Sequence, residues 1–185
     1  EATEQQLAFY NRYFGIRYPF GKLDILAIPD FAAGAMENSG AITFRERLLL
    51  VDPERASLGT RKNVASIISH EIAHQWFGNA VTEKDWDEVW LSEGFATYFT
   101  LLFLEHSEGR DAFVDGLKRS REQVHGMEKK LTDAPIRHRN LSDMRRVLNG
   151  LIYQKGGWTL HMLRKQIGTE TFWRGIREYY AKYRD

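Results

Sequence analysis

The chain is 185 residues long and carries 26 Lys+Arg against 25 Asp+Glu, a formal net charge of +1. That balance excludes an electrostatic nucleic-acid binder, which needs a basic excess. A hydrophobic content of 43% with 13% aromatic excludes a disordered chain, and the absence of cysteine excludes a disulfide scaffold, thiolate metal sites and a cysteine nucleophile. The length fits one domain, since domains run about 100–200 residues. No window reaches the roughly 18 apolar residues that cross a bilayer, and nothing resembles a signal peptide. The first residue is Glu1 rather than Met, which reads as a fragment of a longer protein. The sequence names no compartment.

Glu4 to Phe14 reads as a short amphipathic helix with Leu7, Tyr10 and Phe14 on one face. Strand candidates follow at Leu23–Ile28, Ala41–Phe44 and Leu48–Val51, with a loop of small residues from Pro29 to Gly40 between the first two. After Pro53 the periodicity turns helical. Thr60 is the expected N-cap of a helix whose stripe is Val64, Ile67, Ile68, Ile72 and Trp76, ending near Gly78 and Asn79. A second helix is expected from about Ser92 to His106, stopped by Gly109, and a third from Asp111 to Val124. A polar stretch precedes a fourth, from Val147 to Ile167, and a fifth, capped by Thr169, runs to the end. A few strands followed by helices is an α+β arrangement.

Within the first long helical pattern lies His70-Glu71-Ile72-Ala73-His74. Residues four apart on a helix point the same way, so both imidazoles can reach one metal ion. Glu71 is turned about 100° from His70 and about 60° from His74. Its carboxylate therefore sits beside an open coordination position, where it suits a base acting on a water. A catalytic zinc site needs a third protein ligand. Glu93, at the start of the next helical pattern, is the best candidate. Two imidazoles and a carboxylate favour one zinc ion over magnesium or calcium, which prefer all-oxygen surroundings.

At this point the sequence resembles the gluzincin aminopeptidase family that includes aminopeptidase N. Gly34-Ala35-Met36-Glu37-Asn38 is identical to that family's exopeptidase motif, and His70 to His74 followed by eighteen residues and Glu93 matches its zinc motif. Tyr153-Gln154-Lys155-Gly156 resembles its Y-x-K-G element. The resemblance implies a thermolysin-like zinc peptidase catalytic domain over residues 1–185, with short N-terminal strands followed by a mainly helical part. It implies zinc on His70, His74 and Glu93, with Glu71 as general base and then acid. Tyr153 is implied as the donor to the developing oxyanion. Glu37 is implied to hold the substrate's free α-ammonium, within a substrate-binding segment of Gly34, Ala35, Met36, Glu37 and Asn38.

The expected partners are peptide substrates with a free N-terminus and the flanking domains of a parent chain, with no nucleic acid and no membrane segment. The chain departs from the family at Ser92, where asparagine is usual, and at Thr100, where glutamate is frequent. Two alternatives stand beside the aminopeptidase reading. One is a zinc endopeptidase, against which the Gly34–Asn38 motif weighs. The other is a zinc-binding or peptide-binding fragment with little activity of its own.

Overall fold

A computed structural model of the chain describes residues 2–131, 133 and 135–184, with the backbone alone at residue 145. Glu1 and Asp185, the expected last residue of the fifth helix, lie outside the described residues, and the described helix ends at Tyr183. The elements are α1 (Ala2–Phe14), β1 (Asp24–Ile28), β2 (Ala35–Met36), β3 (Ala41–Arg45), α2 (Leu58–His74), α3 (Trp90–Glu108), α4 (Arg110–Glu128), α5 (Met144–Val147), α6 (Gly150–Ile167) and α7 (Thr169–Tyr183). The arrangement is α+β, as the order of periodicities implies. No helix among the described residues is long and apolar enough to cross a membrane.

The small sheet runs in the order β1-β3-β2. β1 lies parallel to β3, with Asp24 opposite Ala41 and Ile28 opposite Arg45. β2 is antiparallel to β3, with Ala35 opposite Phe44, and forms an edge of the sheet. The period-2 alternation of β3 sends Ile42 and Phe44 into the core.

Aromatic packing builds that core. Phe14 at the end of α1 is fully buried, its ring 4.7 Å from Phe99 on α3 and 5.4 Å from Trp76 beyond α2. Trp76 donates its indole N–H to Ile16 O at 3.1 Å, so the ring is buried without an orphaned donor. Val64, Ile68 and Ile72 place one stripe of α2 in the same cluster. Ser69, also buried, shares a 2.7 Å hydrogen bond with the Tyr10 hydroxyl. The opposite side of α2 is left for His70 and His74.

Several expected boundaries differ for local reasons. Leu48–Val51 is not a strand. Leu49 and Leu50 donate their N–H groups to Glu46 O at 3.1 and 2.8 Å, which coils the chain into a 3₁₀ turn at Glu46–Leu48. β2 instead forms inside the expected loop. α2 is capped by Ser57, whose hydroxyl accepts from Thr60 N at 3.1 Å, so Thr60 lies one turn inside the helix. The helix stops at His74, short of Trp76, and the chain then turns through Gly78 at φ +133°. The fourth expected helix is two, because Asn149 restarts it: Oδ1 accepts from Leu151 N at 2.7 Å, while Nδ2 donates to Arg146 O at 2.6 Å. Thr169 is the first residue of α7 rather than its cap, which is Gly168.

α3 packs extensively against α6, and two glycines set how near they come. A Cβ on Gly94 would lie 2.8 Å from the carbonyl carbon and 2.9 Å from the Cα of Gly156, both backbone atoms that cannot swing aside. By contrast, a Cβ on Gly175, exposed on α7, would meet nothing within 4 Å. Opposite effects are therefore expected on stability. Gly94→Ala should destabilise the chain by about 1–3 kcal/mol through overpacking, whereas Gly175→Ala should stabilise it by about 0.5–1 kcal/mol through helix propensity. Denaturant unfolding measures both, and a stabilising Gly94→Ala would refute the close-approach argument.

Candidate functional site

A cleft of about 1380 Å³ is bordered by β2, the exposed side of α2, the first turns of α3 and the start of α6. His70, Glu71, His74, Glu93, Glu37 and Tyr153 all line it. Each is delivered by a different local rule. The two histidines stand one turn apart on α2. Glu93 falls in the first turn of α3, after a 3₁₀ turn at Trp86–Glu88 leads the chain back toward α2. Tyr153 stands in the first turn of α6, just beyond the Asn149 cap. Glu37 follows β2 directly.

The two imidazoles and the Glu93 carboxylate converge. His70 Nε2 lies 3.0 Å from Glu93 Oε2, and His74 Nε2 lies 3.2 Å from the same oxygen. The two Nε2 atoms are 3.1 Å apart. His70, His74 and Glu93 are a group that could hold a metal ion, their ligand atoms all within 4.8 Å of one another. Ligands on a tetrahedral zinc with bonds of about 2.0–2.1 Å would stand roughly 3.3 Å apart, close to the spacings observed. Three lone-pair-bearing atoms at such distances repel unless protons or a metal cation lie among them, and the donor set fits a cation both in chemistry and in size.

The electrostatics agree. Burial opposes a charged His74, yet Glu93 first, and then Glu37 and Glu71, outweigh it and raise its pKa to about 10. Burial also opposes the Glu93 carboxylate, but His74 and then His70 hold its pKa well below the usual range. A field that attracts a proton this strongly also attracts a metal cation. Burial pushes the Glu71 carboxyl up to about 7, against the lowering influence of the two histidines and with the help of Glu37 and Glu93. Burial, then the negative charge of Glu93, keeps the Tyr153 phenol protonated far above its ordinary pKa.

The surroundings orient these groups. His74 Nδ1 lies 2.9 Å from Ser92 Oγ and 3.3 Å from Phe77 O, which leaves Nε2 to face the cleft. Gly78 makes room for that bond: a Cβ there would sit 2.4 Å from Ser92 Oγ and 2.8 Å from His74 Nδ1. The Tyr153 ring stacks on His70 with centroids 5.9 Å apart. Glu37 Oε1 is 4.0 Å from His74 Nδ1.

The expected site residues thus gather, with one standing apart. Gly34, Ala35 and Met36 line the cleft beside Glu37. Asn38 is exposed, and its side chain closes the β2–β3 turn by donating to Thr43 Oγ1 at 3.2 Å. Sequence reasoning gave no site role to Gln75, Gly78 or Asn79; Gly78 and Asn79 line the cleft, and Gln75 is buried beside His74. The one signal for Gln75 is an amide next to the apolar stripe of α2, at a position that is fully buried.

The family model described as Peptidase family M1 domain matches residues 1–185. Among curated relatives, endoplasmic reticulum aminopeptidase 2 of Bos taurus is 40% identical over 185 residues, covering 99% of this chain and 19% of that protein. Aminopeptidase M1-C of Oryza sativa subsp. japonica is 38% identical, over 97% of this chain and 21% of that protein. Glutamyl aminopeptidase of Sus scrofa is 38% identical, over 98% and 20%. The chain spans about a fifth of the length of these relatives. It belongs to the Peptidase M1 family.

Zinc binding to the folded chain alone should raise its thermal midpoint, by linkage about 2.7 kcal/mol of stability at a hundredfold excess over the dissociation constant. Glu93→Ala is expected to abolish that rise. A zinc-dependent rise that survives the substitution would place the cation elsewhere.

Proposed function

Starting from membership of the Peptidase M1 family, we propose that residues 1–185 are a zinc-dependent aminopeptidase catalytic domain, thermolysin-like in type, within a larger multidomain protein. Its reaction is hydrolysis of the N-terminal peptide bond of peptides with a free amine. The observation that carries this reading is the position of Glu37. Its carboxylate lines the same cleft as the converging His–His–Glu group and lies 4.0 Å from His74 Nδ1, the ring nitrogen turned away from Glu93. A negative charge held beside that group in one cleft can take an ammonium one residue from the scissile bond, and an endopeptidase has no need of it.

In this reading His70, His74 and Glu93 hold one zinc ion, in keeping with a family that is zinc-dependent in general. When bound, zinc supplies a Lewis acid that polarises the scissile carbonyl and makes water more acidic. Glu71 takes a proton from the water that attacks the carbonyl carbon. It returns the proton to the nitrogen as the C–N bond breaks, so that a free amine leaves. Tyr153 donates its phenolic O–H to the carbonyl oxygen as negative charge builds there; a donor of this kind is worth about 3–4 kcal/mol in the transition state. Glu37 takes the substrate ammonium. Gly34, Ala35 and Met36 border the substrate main chain along the β2 edge, where small side chains let a backbone approach. Asn38 keeps the turn that carries Glu37. Ser92 orients His74.

Two substitutions separate the roles. Glu71→Gln should remove hydrolysis of aminoacyl chromogenic amides while leaving the metal content at one zinc per chain; retained turnover would remove Glu71 as the base. Tyr153→Phe should lower kcat by about 10²–10³-fold with little change in KM, as expected for a bond made only in the transition state. A raised KM at constant kcat would assign Tyr153 to ground-state binding instead.

A further inference from the structure

Gln75 directly follows His74, and its side chain is fully buried although polar. Its amide is spent on the segment that carries Glu37. Nε2 donates to Glu37 O at 2.7 Å. Oε1 accepts from Gly40 N at 3.0 Å and from the Tyr18 hydroxyl at 3.3 Å. Asn79, half-buried and four residues further on, donates its own Nδ2 to the same Glu37 carbonyl at 2.6 Å. One main-chain oxygen therefore receives two side-chain N–H donors from the turn that ends the histidine helix.

That turn is itself tightly built. Asn79 N donates to His74 O at 3.0 Å and Gly78 N to Val81 O at 2.8 Å. Both amides thus hang from the backbone that positions His74. The other end of the Glu37 segment is pinned separately. The Arg45 guanidinium donates to Phe31 O at 2.8 Å, to Ala33 O at 3.1 Å and to Ala32 O, and Arg45 N donates to Gly34 O at 2.9 Å. Between these two anchors only the short strand β2 and the Glu37 side chain face the cleft. A buried amide donor deprived of its acceptor is costly, so the clamp resists displacement of the Glu37 main chain. The Glu37 side chain has two carbons between Cα and its carboxylate group. Fixing its carbonyl relative to His74 therefore limits how far the carboxylate can stand from the His–His–Glu group.

We propose that Gln75 and Asn79 are positioning residues for amine recognition: their side-chain amides clamp the Glu37 carbonyl and set the distance between the Glu37 carboxylate and the metal-binding group. The proposal rests on the reading of Glu37 as the group that takes the substrate ammonium. It makes amine selectivity a property of the turn after α2 as well as of the exopeptidase motif.

The test uses calorimetric binding of two compounds to the zinc-loaded full chain: leucine hydroxamate, and its analogue lacking the amino group. In the parent chain the amino compound should bind more tightly; equal affinities would refute the role of Glu37 itself. In Gln75→Leu and in Asn79→Leu, zinc content should stay at one per chain, while binding of the amino compound weakens about tenfold and that of the des-amino compound changes less than about twofold. Asn79→Leu, at the half-buried position, decides the matter if Gln75→Leu does not fold. Equal weakening of both compounds would show a general structural role, and unchanged binding of both would show no role. Either result overturns the proposal.

Discussion

The Glu93 carboxylate sits between the imidazoles of His70 and His74, and the other features of the cleft are arranged around that convergence. Two of the three groups come from one helix and the third from the next, so the contact depends on how α2 and α3 cross. Neither His74 nor Glu93 has ready access to water, at 1% and 12% side-chain exposure. A buried carboxylate is costly unless a positive partner faces it, and a buried imidazole cluster is costly unless its lone pairs find a cation or protons. Each group is the other's compensation, and together they ask for a positive ion between them.

That crossing is held by apolar packing rather than by the polar groups themselves. α2 buries Val64, Ile68 and Ile72 in the core and turns its histidines the other way. Phe14, Trp76, Phe77 and Phe99 lock α1, the turn after α2 and α3 into one aromatic cluster. On the opposite side of α3, Gly94 faces Gly156, letting α6 come close enough for Tyr153 to stack on His70. Tyr153 and Glu93 are thus neighbours because two helices touch backbone to backbone. Gly94, next to Glu93, and Gly156, the end of Tyr153-Gln154-Lys155-Gly156, have a spatial reason to be glycine.

Much of this was legible in the sequence. The i, i+4 spacing of His70 and His74 dictates a shared face on any helix, and the helix is there. Glu93 could be anticipated because a third ligand must come from an adjoining element and Glu93 opens the next helical pattern. What was not legible depended on competing local bonds. Leu48–Val51 has strand composition, but the carbonyl of Glu46 captures its N–H groups first. Ser57 outcompetes Thr60 as a cap because its hydroxyl accepts the Thr60 N–H. The helix break at Asn149 needs that side chain to act as acceptor to Leu151 and donor to Arg146 at once, which periodicity does not register. Gln75 and Asn79 escaped for a different reason: their partner is a main-chain oxygen 38 and 42 residues away. No spacing rule links an amide to a distant carbonyl.

The central claim is that two imidazoles and one carboxylate bind a single zinc ion. X-ray absorption at the zinc edge of the zinc-loaded chain tests it most directly. The account predicts one zinc per chain with two imidazole nitrogens and oxygen ligands at about 2.0–2.1 Å. A spectrum showing one imidazole or none, or a second zinc of comparable occupancy, would contradict it.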